Sequence, residues 1–402
     1  MMPDSGSSGS QPRPETLLSR LGRPVAHPGP VNMPLHRAST IVFDTLEELE
    51  AAKSARFDKG TLFYGRFGTP DVFAFEEAIA TLSGGYGTVA VPSGLAACVL
   101  PLVAFLKPGD HVLVTDSVYE PARTSLSAFI ARSGVEVSYF DPRAGAAIAE
   151  AMRPNTRLVY LESPGSLTFE IQDLPAIAAV ARARGALTMC DNTWASPLFL
   201  KPLALGVDLV VEAATKYVVG HSDAMIGTVT TAREDHHRLL RQAANWLGYR
   251  ISPDDVYLAA RGLRTLGVRL ERHYRTGLAL AEWLESQPQV RRVLHPALAS
   301  HPDHALWRRD FSGASGLFAI ELDTTKAGAT VFVEALQLFS QGFSWGGFES
   351  LALLTDPGHA RTATRWEAEG SLVRLYAGLE DADDLKADLR SGLDRFDVFT
   401  RG

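Results

Sequence analysis

Lysine is scarce in this chain. Seven residues, Lys53, Lys59, Lys107, Lys201, Lys216, Lys326 and Lys386, stand in a basic total of 39 against 46 acids, leaving a formal net charge of -7. Such a chain offers no global basic surface for neutralising a phosphate backbone, so no nucleic-acid partner is expected. Cysteine is nearly missing too. Cys98 and Cys190 lie in apolar runs without CxxC or HxxxH spacing, which excludes a disulfide framework, gives no zinc pattern and fits a reducing cytoplasm. The longest apolar run, Leu95 to Leu106, is broken by Pro101 and falls short of the roughly 18 residues a membrane span needs. The polar start, MMPDSGSSGSQPRP, has no basic region followed by an apolar one, so it reads as a loose tail and not a leader. GxGxxG and GKS/T are also missing, which argues against dinucleotides and nucleoside triphosphates, and no GxSxG elbow marks an α/β-hydrolase. His236-His237 and the pair His301 and His304 match no metal spacing and are expected at solvated positions. No metal is expected.

What is present is a chain of 402 residues with 46% hydrophobic content, too apolar for disorder and long enough for two or three units. Apolar runs begin at Thr88, His111, Val135, Thr156, Ala186, Val207 and Ala224, separated by helical stretches such as PDVFAFEEAIATLSG and DLPAIAAVARARG. Strands apolar nearly throughout and alternating with helices predict a mainly parallel seven-stranded sheet covered on both faces, an open α/β domain. After Arg233 the sequence turns helix-rich, and two further strand-like runs, from Gly316 and from Ser371, enclose the helix TKAGATVFVEALQLFS. That pattern predicts a smaller α+β unit. The expected division is an arm over 1–65, a sheet domain over 66–260 and a small domain over 261–402.

In open α/β sheets, ligands gather at the carboxyl ends of the strands. Lys216 follows the run VDLVVEAA within small and apolar residues. A desolvated lysine has a depressed pKa and can attack a carbonyl as an amine, whereas a strand-end lysine also commonly snorkels to solvent. Asp191 interrupts ALTMCDNTWA on the preceding run; a buried carboxylate needs a cationic partner, and a protonated pyridine would supply one, although capping is the more frequent role. An Asp and a Lys on consecutive strand ends sharpen the pyridoxal-phosphate hypothesis. Ser93-Gly94-Leu95 turns from strand to helix and offers N–H groups to an anion, or a plain cap. Tyr119 opens another helix and either stacks on a heterocycle or packs the helix start. Tyr64 and Arg66 sit on a glycine-rich stretch suited to phosphate, or are ordinary surface. Arg374, inside the apolar run SLVRLYAGLED, calls for an anion: a substrate carboxylate, or an internal acid such as Glu380. Trp345, in FSWGGFES, is placed to border a pocket.

These residues, in this order, resemble the Cys/Met-metabolism family of pyridoxal-phosphate enzymes, which has the aspartate-aminotransferase-like fold type I. The likeness extends from about Tyr64 to Glu380 and is densest in CDNTWASPLFLKPLALGVDLVVEAATKYVVGHSDAMIGT. Within the family YEPAR, ESPGSLTFEIQDLPAI, FSWGGFESL and VRLYAGLED are most similar to the bacterial cystathionine beta-lyase branch. Gly165-Ser166-Leu167, where many relatives have an Asn-containing ESPxNP motif, and Ala213, where many have Ser, point the same way. The resemblance implies that Lys216 holds pyridoxal 5'-phosphate covalently and moves the Cα proton. Asp191 would hold the pyridine nitrogen, and Gly94, Leu95 and Thr215, with Ser93 at the turn, the phosphate. Tyr119 would stack on the ring and assist proton transfer. Arg374 would clamp the substrate carboxylate beside Ser344 and Trp345, and Tyr64 and Arg66 would reach the site of a neighbouring subunit. A homotetramer built from two dimers, and cleavage of cystathionine to homocysteine, pyruvate and ammonia in methionine biosynthesis, are the implied assembly and reaction.

Overall fold

The computed structural model describes residues 12–24 and 28–401. Most of the expected loose tail lies outside the described residues, and Pro14 already opens the helix Pro14–Arg20. Each of the seven apolar runs forms a strand of the larger sheet: β1 (Gly87–Val91), β2 (His111–Thr115), β3 (Glu136–Phe140), β4 (Thr156–Glu162), β5 (Leu187–Asp191), β6 (Leu209–Glu212) and β7 (Gly227–Thr231). Their order is β1-β7-β6-β5-β4-β2-β3. β7 runs antiparallel to both neighbours and every other pairing is parallel. The carboxyl ends of β1, β2, β4, β5 and β6 therefore share one edge.

Both faces of this sheet are covered. Val112, Val114, Leu158, Tyr160, Met189 and Val211 pack on one side, whereas the alternate residues Leu113, Val159, Leu161 and Cys190 join a core on the other, as the two-residue period of a strand requires. Burying one such side chain contributes about 1.5–3 kcal/mol, so the near-continuous apolar runs are themselves the reason the sheet forms. Helix boundaries are set locally. Ser93 caps Gly94–Phe105 by accepting from the Ala96 N–H, Asp173 does the same for Leu174–Ala183 at Ala176, and Gly84, at φ 71°, ends Pro70–Ser83 in the left-handed region that favours glycine.

The smaller sheet is antiparallel, ordered β10-β11-β9-β8, from β8 (Val290–Leu294), β9 (Leu317–Leu322), β10 (Leu351–Thr355) and β11 (Ser371–Tyr376). β9 and β11 answer to the two runs read from the sequence; β8 and β10 are additions. β8 is hard to read because Arg291 and Arg292 point outward side by side, and β10 because it follows a glycine-rich stretch with no period. The helix-rich region resolves into Pro253–Leu263 and Leu266–Glu285. Their interruption at Arg264-Thr265 lies close to the expected junction, and we propose it as the join between the two larger units.

One expectation is corrected. His236, His237 and His301 are 7%, 2% and 3% exposed, not solvated. His236 meets the Phe105 ring and His237 the Tyr86 ring edge-on, whereas buried His301 accepts from the Asp303 N–H at Nδ1, at 3.2 Å. Among the described residues no cluster of three or more His, Cys, Asp or Glu could hold a metal ion. No described helix is long and apolar enough to cross a membrane.

Candidate active site

Three carboxylates end three adjacent strands. Glu162 closes β4, Asp191 closes β5 opposite it in register, and Glu212 closes β6. Asp191 is 8% exposed. Its Oδ1 accepts from the Thr193 N–H at 2.9 Å and from Thr193 Oγ1 at 2.5 Å, while among the described residues Oδ2 has only the Cys98 Sγ at 3.7 Å. One oxygen is thus fixed and the other weakly held, which leaves it able to accept from a strong donor. Burial raises the Asp191 pKa against the pull of Thr193, Cys98 and Lys216. Burial and the neighbouring Asp191 push Glu162 well above the carboxylate range and Glu212 up to about 8. Like charges this close cannot all ionise.

Lys216 lies in the turn after β6. Burial, and then the Arg374 guanidinium, lower its pKa to about 8, with Asp191 acting the other way. Its Nζ donates to Ser344 Oγ at 2.6 Å and sits 5.2 Å from the centre of the Trp345 ring. The turn is pinned from behind: Arg269, on the helix Leu266–Glu285, donates to the carbonyls of Tyr217 and Gly262 at 2.7 Å each. Gly346 is needed in front, because a Cβ there would lie 2.8 Å from Lys216 Cα.

Arg374, on β11, is the other cation of the site. Its Nη2 donates to the Ser344 carbonyl at 3.1 Å. Glu380 instead accepts from the Ser350 N–H and Oγ, both at 2.8 Å, and among the described residues no ion pair involves Arg374. The internal salt bridge weighed for it is therefore not made. Burial lowers the Arg374 pKa, because desolvation disfavours the charged form. Ser344, between the two cations, holds φ 87°, a left-handed conformation that a non-glycine residue adopts at a cost of about 1–2 kcal/mol. Trp345 packs on Tyr217 with ring centres 5.4 Å apart.

The helix start at Ser93-Gly94 meets the Lys216 turn directly, since a Cβ on Gly94 would sit 2.5 Å from the Ala213 Cβ. Ser93 Oγ accepts from Ala96 N–H at 3.1 Å, which keeps its own hydroxyl proton available. Leu95 follows in the first turn of that helix. Thr215 Oγ1 bonds both the N–H and the carbonyl of Ile226, at 2.9 and 3.1 Å. Tyr119 precedes the helix Glu120–Ser125, is 43% exposed, and donates its N–H to Glu162 Oε2 at 2.6 Å.

Tyr64 and Arg66 stand apart from this group. Gly65–Phe67 is one 3-10 turn where the sequence reads as loop, Arg66 donates to Asn245, and both side chains line a surface cleft with Arg37, Arg250 and Ser252. No contact joins them to Lys216 or Arg374 of the same chain among the described residues. Sequence reasoning missed Glu162, Glu212 and Cys98. For the two glutamates a signal existed, an acid closing an apolar run in LVYLES and LVVEAA. Cys98 had none, because it reaches Asp191 across the 93 residues that separate them.

Comparison with known proteins shows the family. Residues 15–394 match the family described as Cys/Met metabolism PLP-dependent enzyme. A Rhizobium johnstonii protein, provisionally named a cystathionine beta-lyase, is 48% identical over 94% of this chain and 95% of its own length. Cystathionine beta-lyase MetC of Escherichia coli is 45% identical over 95% of this chain and 98% of its own. The crystal structure of metB from Corynebacterium glutamicum superposes with a TM-score of 0.89 at 30% identity, covering 96% of this chain and 98% of that one. The fold is fold type I, the cofactor is pyridoxal phosphate, and the chain belongs to the Cys/Met metabolism family of PLP-dependent enzymes.

Proposed function

We propose that this lyase takes L-cystathionine and water to L-homocysteine, pyruvate and ammonia, in methionine biosynthesis. The observation that carries the reading is the row of Lys216 Nζ, Ser344 and Arg374. It sets an amine with a pKa of about 8 beside a guanidinium that has no ion pair among the described residues. The residues fit the cofactor chemically: an amine for its aldehyde, an anion with one lightly held oxygen for its pyridine nitrogen, and a helix start for its phosphate. When bound, pyridoxal phosphate draws electron density away from the Cα of an attached amino acid.

The chain's residues supply the rest. Lys216 takes the Cα proton, a task suited to an amine whose pKa lies near neutrality. Asp191 keeps a proton on the pyridine nitrogen. Ser93, Gly94, Leu95 and Thr215 hold the phosphate. Tyr119 would stack on the ring and assist the proton transfers. Arg374 grips the α-carboxylate in bidentate fashion, with Ser344 and Trp345 closing that side. Tyr64 and Arg66 serve the phosphate and substrate of a neighbouring subunit, so the working form is an oligomer, a dimer of dimers. The free, buried thiols Cys98 and Cys190 suit a cytoplasmic enzyme.

Beta-cleavage is favoured over gamma-chemistry by the names of the two relatives above and by Gly165-Ser166-Leu167 and Ala213. Product analysis decides it. Pyruvate plus homocysteine from cystathionine is the expected outcome, and 2-oxobutyrate plus cysteine would refute it. All the named side chains act on the amino-acid half that cysteine thioethers share, so a kinetic series of cystathionine, cystine, cysteine and bulkier S-conjugates ranks the substrates.

A further inference from the structure

We infer that the segment Arg361–Thr364, between β10 and β11, is a strap that sets the position of Tyr119, with Asp116 and Arg361 as its two positioning residues. The inference rests on the role proposed above for Tyr119 at the cofactor ring. Asp116 follows β2, and its side chain is fully buried. It collects the amides of three consecutive strap residues, Thr362 at 3.0 Å, Ala363 at 2.9 Å and Thr364 at 2.7 Å, together with Thr364 Oγ1 at 2.8 Å. Arg123 Nη2 adds a charged donor at 2.5 Å. Successive N–H groups converging on one carboxylate form a built anion nest.

The second anchor is Arg361. Its Nη2 donates to Glu170 Oε1 at 2.7 Å, and the two side chains are 5% and 3% exposed. Glu170 belongs to the loop after β4, and that loop returns to the Asp116 turn: Ser166 N–H donates to the Ser117 carbonyl at 2.8 Å, and a Cβ on Gly165 would lie 2.4 Å from Ser117 Oγ. Strap, loop and turn are thus locked together.

Tyr119 is bracketed by this lock. Asp116 stands three residues before it. Arg123, in the helix that Tyr119 opens, bonds back to Asp116 and lies 3.6 Å from the centre of the Tyr139 ring. The residue is held by its backbone: its N–H donates to Glu162 Oε2 at 2.6 Å, and its carbonyl accepts from the Ala122 and Arg123 N–H groups at 3.0 and 3.1 Å. The strap supplies that restraint from the small domain. Small displacements of a catalytic group are expensive: a shift near 1 Å costs about a hundredfold in rate.

The test uses purified holoenzyme carrying Arg361→Met, Arg361→Lys or Asp116→Asn. Two quantities are read: the circular dichroism of the bound cofactor's visible band without substrate, and kcat and KM for cystathionine. The expected result for Arg361→Met is a weakened visible band and a kcat about tenfold lower, with KM moving less than about twofold, and partial recovery in Arg361→Lys. Asp116→Asn should go further in the same direction, and if it fails to fold the Arg361 pair still decides. A purely structural strap would lower the melting temperature alone. Wild-type kcat and a wild-type visible band in Arg361→Met would overturn the inference. The dichroism is read without substrate, so it stands even if the wild-type enzyme proves to prefer another thioether.

Discussion

The floor of the site and its rim are built in opposite ways. The floor is the carboxyl edge of the large sheet, where Glu162, Asp191 and Glu212 end neighbouring strands and are held by ladder register. Asp191 adds two short bonds from Thr193. The rim joins a loop, with Ser344 at φ 87° and Gly346 at φ 94°, to the strand β11, from which Arg374 donates to the Ser344 carbonyl. Burial raises all three floor acids, and Asp191 adds to the rise of Glu162 and Glu212, whereas at the rim Arg374 and Lys216 meet at Ser344 and, among the described residues, neither has an ion pair. The difference teaches a division of labour. An acidic floor set by strand ends suits a cofactor that stays; a cationic rim suits a substrate carboxylate that arrives and leaves.

The largest expected effect strikes where the two regions meet. Lys216→Ala should lower turnover by about a thousandfold or more and abolish the wild-type absorbance of the bound cofactor, with far-ultraviolet circular dichroism unchanged. An equally active variant would remove this lysine from the account. A middle-sized effect tests whether the rim is completed by a neighbour. Arg66→Ala and Lys216→Ala, each inactive or nearly so, should regain up to roughly a quarter of wild-type activity when mixed as subunits, the fraction reassembling one intact site per pair. Mixtures that regain nothing would confine Arg66 to its own chain.

The smallest effect concerns the floor alone. Burial holds the Glu212 carboxyl at about 8 against an ordinary 4.5. Between those values the folded protein keeps a proton that the unfolded chain has lost, so this group's contribution to stability falls as pH rises from about 4.5 to about 8. Glu212→Gln should flatten that part of the pH dependence of urea unfolding. A slope equal to wild type would argue that Glu212 ionises normally.

Much of this contrast was legible in the sequence, and unevenly so. The floor was readable because parallel strands buried on both faces announce themselves as apolar runs, and their ends are where polar residues resume; Asp191 and Lys216 both follow that rule. The seven strands emerged for the same reason. Glu162 and Glu212 obey it too, yet an acid closing a strand also reads as a cap. Contacts between distant segments left no trace. Asp116 and the amide of Thr364 are 248 residues apart, and nothing local in either segment points to the other. On the rim, Arg374 stood out as a charge in an apolar strand, but the left-handed backbone of Ser344 follows from tertiary packing against the Lys216 turn, and no residue type encodes that.

The division between floor and rim is tested most directly by Arg374→Leu holoenzyme, in which the visible absorbance of the bound cofactor and the KM for cystathionine are measured on the same sample. The expected result is an unchanged cofactor spectrum with KM raised about a hundredfold, the scale of losing a buried, charge-assisted pair. A variant that loses the cofactor band, or keeps a wild-type KM, would contradict it.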